Sequence, residues 1–315
     1  MERTFVDEVE LFLKAGRGGD GLLVSHRLPS GRFLNNGGSG GKGGDIYICV
    51  DKSLTDLSSL LHRRNLKAES GGSGRRSNKT GAGGKDLVIK VPLGTQIREK
   101  GGKLLADLLK EGQAFLAAKG GRGGLGNFRK RVNDYLRQRS RGEAGEEKYL
   151  ILDYRIPAEI ALVGFTNTGK STFLSRLTSL KPKISPYPFT TKHPLWGVGK
   201  IGFSNFRVLE LPAIGDNRFK NKIEREFLKH LERVKIIILF QDTSCGSLEN
   251  FFLLNKLISS YNSRYLNKRI IKVVNKIDVG FKKDKEAIGL SLHHNRGWER
   301  IIREIKGVLA LNSEF

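Results

Sequence analysis

The stretch AEIALVGFTNTGKSTFLSRL, residues 158–177, decides the fold of the second half of this chain. It begins with an apolar run typical of a buried strand and ends with the spacing of an amphipathic helix. Between the two, residues 164–171 match G-x-x-x-x-G-K-[ST], which in this strand–helix context predicts a phosphate-binding loop. The loop consists of Gly164, Phe165, Thr166, Asn167, Thr168, Gly169, Lys170 and Ser171.

The residue types of this loop suit phosphate chemistry. Its glycines let backbone N–H groups and a helix N-terminus surround phosphate oxygens. Lys170 is expected to reach the β- and γ-phosphates as a catalytic residue, and the Ser171 hydroxyl to bind Mg²⁺. Asn167 stands where an asparagine can hold K⁺ against the phosphates, in the role of an arginine finger. Its simpler interpretation is an amide that braces the loop.

Strand and helix patterns alternate through the rest of this half. Strand patterns cover residues 158–165, 205–211, 235–240 and 269–275, and helix patterns cover 169–180, 222–234, 247–261 and 295–309. This alternation predicts a mostly parallel, doubly wound α/β sheet that binds ligands beyond the carboxyl ends of its strands.

Two motifs late in the chain predict recognition of guanine. Asn275-Lys276-Ile277-Asp278 follows a strand pattern, and its carboxylate can accept hydrogen bonds from guanine N1–H and the exocyclic amine. Adenine lacks this pair of donors. Taken alone the motif is also compatible with a surface turn, but its position at a strand end downstream of the phosphate loop favours guanine. Ser291-Leu292-His293 stands where a backbone loop would support the base.

Two segments between these motifs are candidates for switches that sense the γ-phosphate. In the first, the Pro-rich loop 186–191, Thr191 is expected to bind Mg²⁺ and the γ-phosphate and to be catalytic. The second should read Asp-x-x-Gly but consists of Glu210, Leu211, Pro212 and Ala213. Glutamate adds a methylene group, and Ala213 lacks the backbone freedom of glycine. We expect this departure to affect hydrolysis and switching more than nucleotide binding.

Glycine distinguishes the first half of the chain, which holds 28 of the 39 glycines. They alternate with strand patterns in segments such as GRGGDG and KGGRGGLGN, without helical periodicity and without the strict G-X-Y period of collagen. We predict an all-β domain at 1–157 whose glycine segments pack as extended, polyproline-II-like backbones. The α/β domain follows at 158–315.

The charge balance indicates a polyanionic partner: 56 Lys and Arg against 32 Asp and Glu give a net charge of +24. In residues 128–142, Phe128 and Tyr135 are interleaved with cations, which suits phosphate contacts and base stacking in RNA. A solvated basic loop is the alternative. The candidate RNA contacts are Arg129, Lys130, Arg131, Arg137, Arg139 and Arg141. Further cations on or near other glycine-rich loops are Arg17, Arg27, Arg32, Lys42, Arg75, Arg76 and Lys79.

Other features exclude whole classes of protein. Cys49 and Cys245 are too few for a disulfide framework, so we expect two buried thiols with no disulfide partner. The longest apolar run, residues 234–240, is far shorter than the ~20 residues of a spanning helix. The acidic start of the chain is unlike a targeting peptide. We expect no membrane span and no targeting segment.

Along nearly its whole length the chain resembles the Obg family of ribosome-associated GTPases. The segments FVDEVELFLKAGRGGDG, GGKGGDIYICVD and LAAKGGRGGLGN are similar to the family's glycine-rich N-terminal domain, and GFTNTGKST, KPKISPYPFTT, FLKHLER and NKID to its GTPase domain. The extra C-terminal domain of many members has no counterpart in these residues.

The resemblance implies site residues and cofactors: GTP or GDP, with Mg²⁺ on Ser171 and Thr191. Residues 275–278 would read guanine and 291–293 support it. The family carries Asp-x-Pro-Gly at 210–213 and commonly Ser-Ala at 291–292. The first switch would comprise Phe189, Thr190, Thr191, Lys192 and His193.

The resemblance also implies a slowly hydrolysing GTPase that binds the large ribosomal subunit and acts in its assembly or maturation, with loop tips of the N-terminal domain on rRNA. We expect a monomer away from the ribosome, in the bacterial cytoplasm, with an organellar matrix as the alternative. One alternative function is a non-hydrolysing, nucleotide-bound RNA checkpoint with a degenerate switch at Glu210 and Ala213. A tRNA-modifying or translational GTPase is disfavoured, because no extra catalytic domain or cysteine site accompanies the motifs.

Overall fold

The computed structural model describes residues 5–178, 193–201, 204–214, 226–243, 249–280 and 286–310. The chain forms two compact units, Met1–Tyr154 and Arg155–Phe315, which divide close to the boundary expected after residue 157. The predicted fold class, a glycine-rich β domain followed by an α/β domain, is confirmed.

Short strands, one short α-helix and a single turn of 3-10 helix, Ser58–Leu60, build the first unit. They are β1 (Glu8–Lys14), β2 (Ser25–Arg27), β3 (Phe33–Asn35), β4 (Ile46–Val50), β5 (Asn65–Lys67), β6 (Leu87–Val91), β7 (Thr95–Glu99), β8 (Leu104–Leu108), β9 (Ala114–Ala118), α1 (Asp134–Arg139) and β10 (Glu147–Tyr154). One sheet has the order β5-β1-β10-β7-β8 and another β6-β4-β9, and β2 pairs with β3 as a hairpin. Leu11 and Leu13 of β1 and Leu150 and Leu152 of β10 lie in the core of the larger sheet.

The glycine-rich segments of this unit are ordered without being strands or helices. Their backbones hydrogen-bond to one another: Gly18 N donates to Glu143 O at 2.9 Å, and Gly41 N donates to Gly72 O at 2.9 Å. The backbones lie so close that a Cβ built on Gly18 would be 1.9 Å from the carbonyl oxygen of Arg122. Glycine is required there because no side chain fits between the segments.

The first unit departs from the all-β prediction at a 3-10 helix, Ser58–Leu60, and at α1, which lies within the basic segment. The side chain of Asn133 caps α1 by accepting a hydrogen bond from Leu136 N at 2.8 Å. A helix of six residues is too short to show 3.6-residue periodicity, so only its cap marks it in the sequence.

The second unit is a six-stranded sheet with helices. Its elements are β11 (Ile160–Gly164), α2 (Lys170–Leu177), β12 (Leu195–Ile201), β13 (Ser204–Glu210), β14 (Ile236–Asp242), α3 (Glu249–Tyr261), β15 (Arg269–Asn275), β16 (Ile288–Gly289) and α4 (Trp298–Ala310). The strand order is β12-β13-β11-β14-β15-β16, and every pair is parallel except β12 with β13. Every residue of β11 and β14 is buried, which explains their continuous apolar sequence.

Strands β12 and β16 lie outside the predicted strand patterns, and one predicted helix differs in type. Gly197 and Gly199 weaken the strand pattern of β12, and a Cβ on Gly197 would lie 2.8 Å from the side chain of Thr178. The helix expected at 222–234 appears, from Phe227 to Arg233, as a 3-10 helix. Four consecutive residues, 228–231, are buried there, unlike the one-sided burial of a surface α-helix.

The expectations about the two cysteines and about membrane-spanning helices can be compared with the structure. Cys49 is a free thiol but is partly exposed rather than buried, because β4 alternates buried and half-exposed positions; Cys245 lies outside the described residues. Among the helices that are described, none combines the length and apolar character needed to cross a membrane.

Candidate functional site

The residues predicted to bind nucleotide, where the structure describes them, lie at one edge of the six-stranded sheet. The chain leaves β11 toward β13 on one side and later reaches β14 on the other, so the order of strands reverses beside β11. Ligands of doubly wound sheets bind at such a reversal, at the carboxyl ends of the strands. Residues 164–171 follow β11, Glu210 ends β13, Asn275 ends β15, and Ser291 comes shortly after β16.

Lys170 is held inside the phosphate-binding loop. Its side chain is buried, and its Nζ donates hydrogen bonds to Gly164 O at 3.0 Å and Phe165 O at 2.6 Å. Burial lowers the pKa of Lys170 to about 8, although the nearby Glu210 carboxylate acts in the opposite direction. The loop therefore holds a desolvated ammonium group at the N-terminus of α2, where both the cation and the helix dipole favour an anion.

Backbone conformation also shapes the loop. Gly169 has φ +92°, and a Cβ at this position would lie 2.2 Å from Asn275 Nδ2. That amide donates to Thr168 O at 2.9 Å, so the phosphate loop is bonded to the end of β15. Asn167 has φ +57° and is exposed. Its side chain is open to solvent, and its role as a K⁺ ligand stays a prediction.

The Ser171 hydroxyl donates a hydrogen bond of 2.7 Å to Glu210 Oε1. Burial raises the pKa of Glu210, and the bond from Ser171 and the charge of Lys170 act against that rise. The second carboxylate oxygen, Oε2, is buried and has no hydrogen-bond partner among the described residues. A hydroxyl beside an unpartnered carboxylate oxygen forms the all-oxygen donor set that Mg²⁺ prefers. The residues present therefore fit this ion.

The departure from Asp-x-x-Gly is visible in this contact. The Glu210 carboxylate, which stands at the position of the pattern's aspartate, accepts directly from the Ser171 hydroxyl. Beyond it, Leu211 N donates to Leu162 O at 3.1 Å and Ile214 N to Gly164 O at 3.2 Å, which attaches the start of the second switch to β11. Ala213 has a negative φ in this arrangement and therefore carries no backbone strain here.

The guanine motif is anchored by buried partners. Lys276, at φ +62°, bonds through Nζ to Asp242 Oδ2 at 2.8 Å, and its carbonyl accepts from Thr243 Oγ1 at 3.1 Å. Asp278 is exposed at the end of the motif. A hydrogen bond from the buried Ser291 hydroxyl is the main cause that lowers the pKa of Asp278. The arrangement presents an ionised carboxylate to solvent, beside the loop at 291–293.

The structure does not describe four predicted residues of the first switch: Phe189, Thr190, Thr191 and Lys192. His193 is described and is half-buried just before β12. Thr191, expected to bind Mg²⁺ and to be catalytic, remains a prediction for this reason.

The basic residues predicted in the first unit differ in their partners. Arg17 bonds to Asp20 Oδ1 at 2.7 Å and Lys42 to Asp45 Oδ2 at 2.6 Å, so these two exposed cations are paired within the chain. In the segment 129–141, the Arg129 and Arg139 guanidinium groups lie 5.0 Å and 5.7 Å from the rings of Phe128 and Tyr135. The other predicted cations are also exposed: Arg27, Arg32, Arg75, Arg76 and Lys79.

Sequence reasoning missed the apolar part of this surface. The backbone N–H of Arg129 donates to Asn35 O at 3.0 Å and thereby joins the basic segment to the β2–β3 hairpin. On that hairpin Phe33 is 67% exposed and Leu34 45%. We call residues 25–35 and 128–141 together the basic–aromatic surface. A three-residue strand with two exposed apolar side chains has no distinctive sequence pattern, so only Arg27 and Arg32 hinted at it.

Comparison with known families covers both units. The family model described as GTP1/OBG matches residues 6–156, and the model described as 50S ribosome-binding GTPase matches residues 159–276. These matches coincide with the glycine-rich unit and with the strands that carry the phosphate loop and guanine motif.

Curated relatives match nearly the whole chain. GTPase Obg of Elusimicrobium minutum is 38% identical over 327 aligned residues, covering 98% of this chain and 71% of that protein. GTPase Obg of Persephonella marina is 39% identical, covering 87% of this chain and 84% of that protein. A solved variant of Era from Aquifex aeolicus bound to GDP and aluminium fluoride is 24% identical, covering 47% of this chain and 56% of that chain, with a TM-score of 0.39. Assignment of the chain to a protein family depends on the sequence relatives and not on this solved structure.

Proposed function

The chain belongs to the Obg family of GTPases, and from this premise we propose that GTP binding and hydrolysis control its attachment to the large ribosomal subunit during assembly. The observation that carries the proposal is that one chain combines this nucleotide site with a unit that exposes aromatic rings beside arginines. A net charge of +24 on a folded protein favours binding to a polyanion, and rRNA is one.

The nucleotide would lie along the carboxyl edge of the sheet. The N–H groups of the loop and the ammonium of Lys170 would bind the phosphates, since that ammonium already lies at the N-terminus of α2. Asp278 would accept hydrogen bonds from guanine, with residues 291–293 beside the base. Four residues of the first switch, Phe189 to Lys192, would close over the γ-phosphate.

Ser171 would hold Mg²⁺ together with Thr191, and Glu210 would stand behind them. When bound, this ion neutralises charge that develops on the transferring phosphate. The Ser171 hydroxyl donates its only hydrogen to Glu210 and keeps its oxygen lone pairs for the ion, so the bond to this buried carboxylate can remain when Mg²⁺ is held. We infer that Ala213, which lacks the backbone freedom of glycine, slows the transition between the two nucleotide states.

Intrinsic hydrolysis is expected to be slow, because the residue after Ala213 is the buried, apolar Ile214 and cannot orient an attacking water. Asn167 would assist this slow hydrolysis by holding K⁺ near the phosphates, because its side chain is exposed. Membership of a GTPase family argues against the alternative of a protein that only holds nucleotide.

The double variant Glu210→Asp, Ala213→Gly should raise single-turnover GTP hydrolysis by roughly tenfold and change GTP affinity by less than about threefold. Aspartate restores the shorter carboxylate of the Asp-x-x-Gly pattern, and glycine at position 213 frees the peptide to turn toward the γ-phosphate. Phosphate release in K⁺ and in Na⁺ measures the hydrolysis rate, and GTP titration measures the affinity. Equal turnover in the two salts would contradict the K⁺ role, and an unchanged rate in the double variant would contradict the argument from the altered second switch.

The ribosome-binding part of the proposal depends on the basic–aromatic surface. Phosphate contacts position a protein on RNA, and exposed rings stack on unpaired bases. Phe33 and Leu34 extend this surface beyond the residues found by charge alone. The relatives named above are bacterial, which supports a location in the bacterial cytoplasm. A monomeric state away from the ribosome stays a prediction.

The test is co-sedimentation of the full-length chain with purified large subunits in GDP, GTP and a non-hydrolysable analogue. Binding should weaken steeply with salt, with a slope of about −0.7 to −0.9 per neutralised phosphate in log K against log salt. A variant with serine at positions 129, 130, 131, 137, 139 and 141 should flatten this slope and leave GTP affinity unchanged.

A matched control replaces cations outside the surface, Arg300 and Arg303 of α4, with serine and should keep the original slope. An unchanged slope in the six-serine variant would return this segment to the solvated-loop interpretation. Equal binding in all three nucleotide states would contradict control of attachment by GTP.

A further inference from the structure

Arg176 links the phosphate-binding helix to the loop beside the proposed guanine site. It lies in the last turn of α2, which begins with Lys170. Its guanidinium Nη1 donates a 2.7 Å hydrogen bond to the carbonyl of Leu292, and Nη2 donates to Asn295 Oδ1. Hydrogen bonds from a charged, planar guanidinium are stronger and more directional than those between neutral groups.

Packing holds the guanidinium group in place. Its central carbon lies 4.4 Å from the centre of the Trp298 ring, at the start of α4. This distance is within the range of a cation–π contact, and Arg176 is half-buried beneath the loop. The side chain is therefore fixed by three different contacts rather than extended into solvent.

The loop that Arg176 holds is also closed by its own hydrogen bonds, one of them from His294 N to the Ser291 hydroxyl at 3.3 Å. Ser291 pairs with Arg296 through Ser291 N to Arg296 O at 3.0 Å, which closes a narrow turn containing residues 292–295. Asn295 has φ +59°, a left-handed conformation that is uncommon outside glycine. The bond from Arg176 to its side chain favours this conformation, and the bond to the Leu292 carbonyl orients the peptide planes within the turn.

We propose that Arg176 is a positioning residue for guanine: it aims the backbone N–H groups of Leu292 and His293 at the O6 acceptor of the base. The proposal rests on the guanine site inferred above. One short helix then carries Lys170, for the phosphates, at one end and the residue that positions the base loop at the other. Arg176 thereby sets the spacing between the phosphate and base subsites, although it need not touch nucleotide.

A merely structural role would be to attach α4 to α2 through Trp298. Loss of such an attachment would weaken all nucleotides equally, whereas loss of positioning would weaken discrimination at O6 alone. Two analogues separate these effects. In 6-thio-GDP, sulfur, a weak acceptor, replaces O6, and IDP lacks only the 2-amino group that faces Asp278.

The experiment measures the affinities of GDP, 6-thio-GDP and IDP for the wild-type chain, Arg176→Met and Arg176→Lys. Arg176→Met should weaken GDP about tenfold and 6-thio-GDP by less than about threefold, so that the preference for oxygen at position 6 falls. The preference of GDP over IDP should stay constant. Arg176→Lys should recover part of the loss, since lysine can still donate to the Leu292 carbonyl.

Arg300→Met, on the exposed face of α4, serves as the matched control and should change none of these ratios. Equal weakening of all three nucleotides in Arg176→Met, or no weakening, would overturn the inference and leave the guanine site intact. A wild-type chain that binds GDP and 6-thio-GDP equally would instead contradict the base loop of the proposed function. Should Arg176→Met unfold, as far-ultraviolet circular dichroism would show, the same ratios in Arg176→Lys decide.

Discussion

Asp278→Asn should weaken GTP binding at least about a hundredfold and allow the chain to bind xanthosine triphosphate. The carboxylate would accept from both guanine N1–H and the 2-amino group, and an amide can accept only one of these bonds while its NH₂ opposes the other donor. Xanthine carries an oxygen at position 2, so the same NH₂ finds an acceptor there.

The setting of Asp278 explains why this effect is expected to be large. The buried Ser291 hydroxyl bonds to the carboxylate and keeps its pKa low, so the group is ionised across the physiological range. Lys276, bonded to Asp242, fixes the backbone before it. The backbone around position 278 therefore has little freedom to move and compensate for the amide nitrogen that replaces a carboxylate oxygen.

Competition of GTP, ATP and XTP against a fluorescent GDP measures this prediction. The wild-type chain should prefer GTP to ATP by at least about two orders of magnitude. Asp242→Asn serves as a control, because it loosens Lys276 and should weaken binding without creating affinity for XTP. Equal GTP and ATP affinities in the wild-type chain would contradict the assignment of the guanine site.

Gly18→Ala should destabilise the first unit by about 3 kcal/mol and abolish binding to the large subunit while GTP affinity stays unchanged. A methyl group at this position would lie 1.9 Å from Arg122 O and 2.4 Å from its carbonyl carbon. Both are backbone atoms in a neighbouring glycine-rich segment, so the clash cannot be relieved by rotating a side chain. Separating the segments would break the Gly18 N bond to Glu143 O.

Calorimetric unfolding of the full-length chain measures the change, together with GTP titration and co-sedimentation. Gly101→Ala is the matched control, since no atom lies within 4 Å of an added Cβ there, and it should change stability by less than about 0.5 kcal/mol. If Gly18→Ala unfolds like the control, the close packing of the glycine segments does not limit stability. A loss of GTP affinity would show that the second unit depends on the first.

Much of the fold and part of the site could be predicted from sequence. Residues 164–171 form a contiguous motif whose strand and helix are recognisable on either side, and β15 coincides with the pattern at 269–275. Glycine content predicted the unusual first unit because backbones this close exclude side chains. In each case residues that are adjacent in the sequence determine the local structure, so it can be predicted without knowing which distant residues are in contact.

The tertiary structure alone decided the contacts between distant residues. Ser171 meets Glu210 because β13 lies beside β11, and Arg176 meets Leu292 because the end of α2 lies next to the turn after β16. Likewise, Arg17 is paired with Asp20, whereas Arg129 joins a hairpin bearing the exposed Phe33. Local residue chemistry determines motifs, but the order and register of strands determine which motifs touch, and these depend on packing of the whole chain.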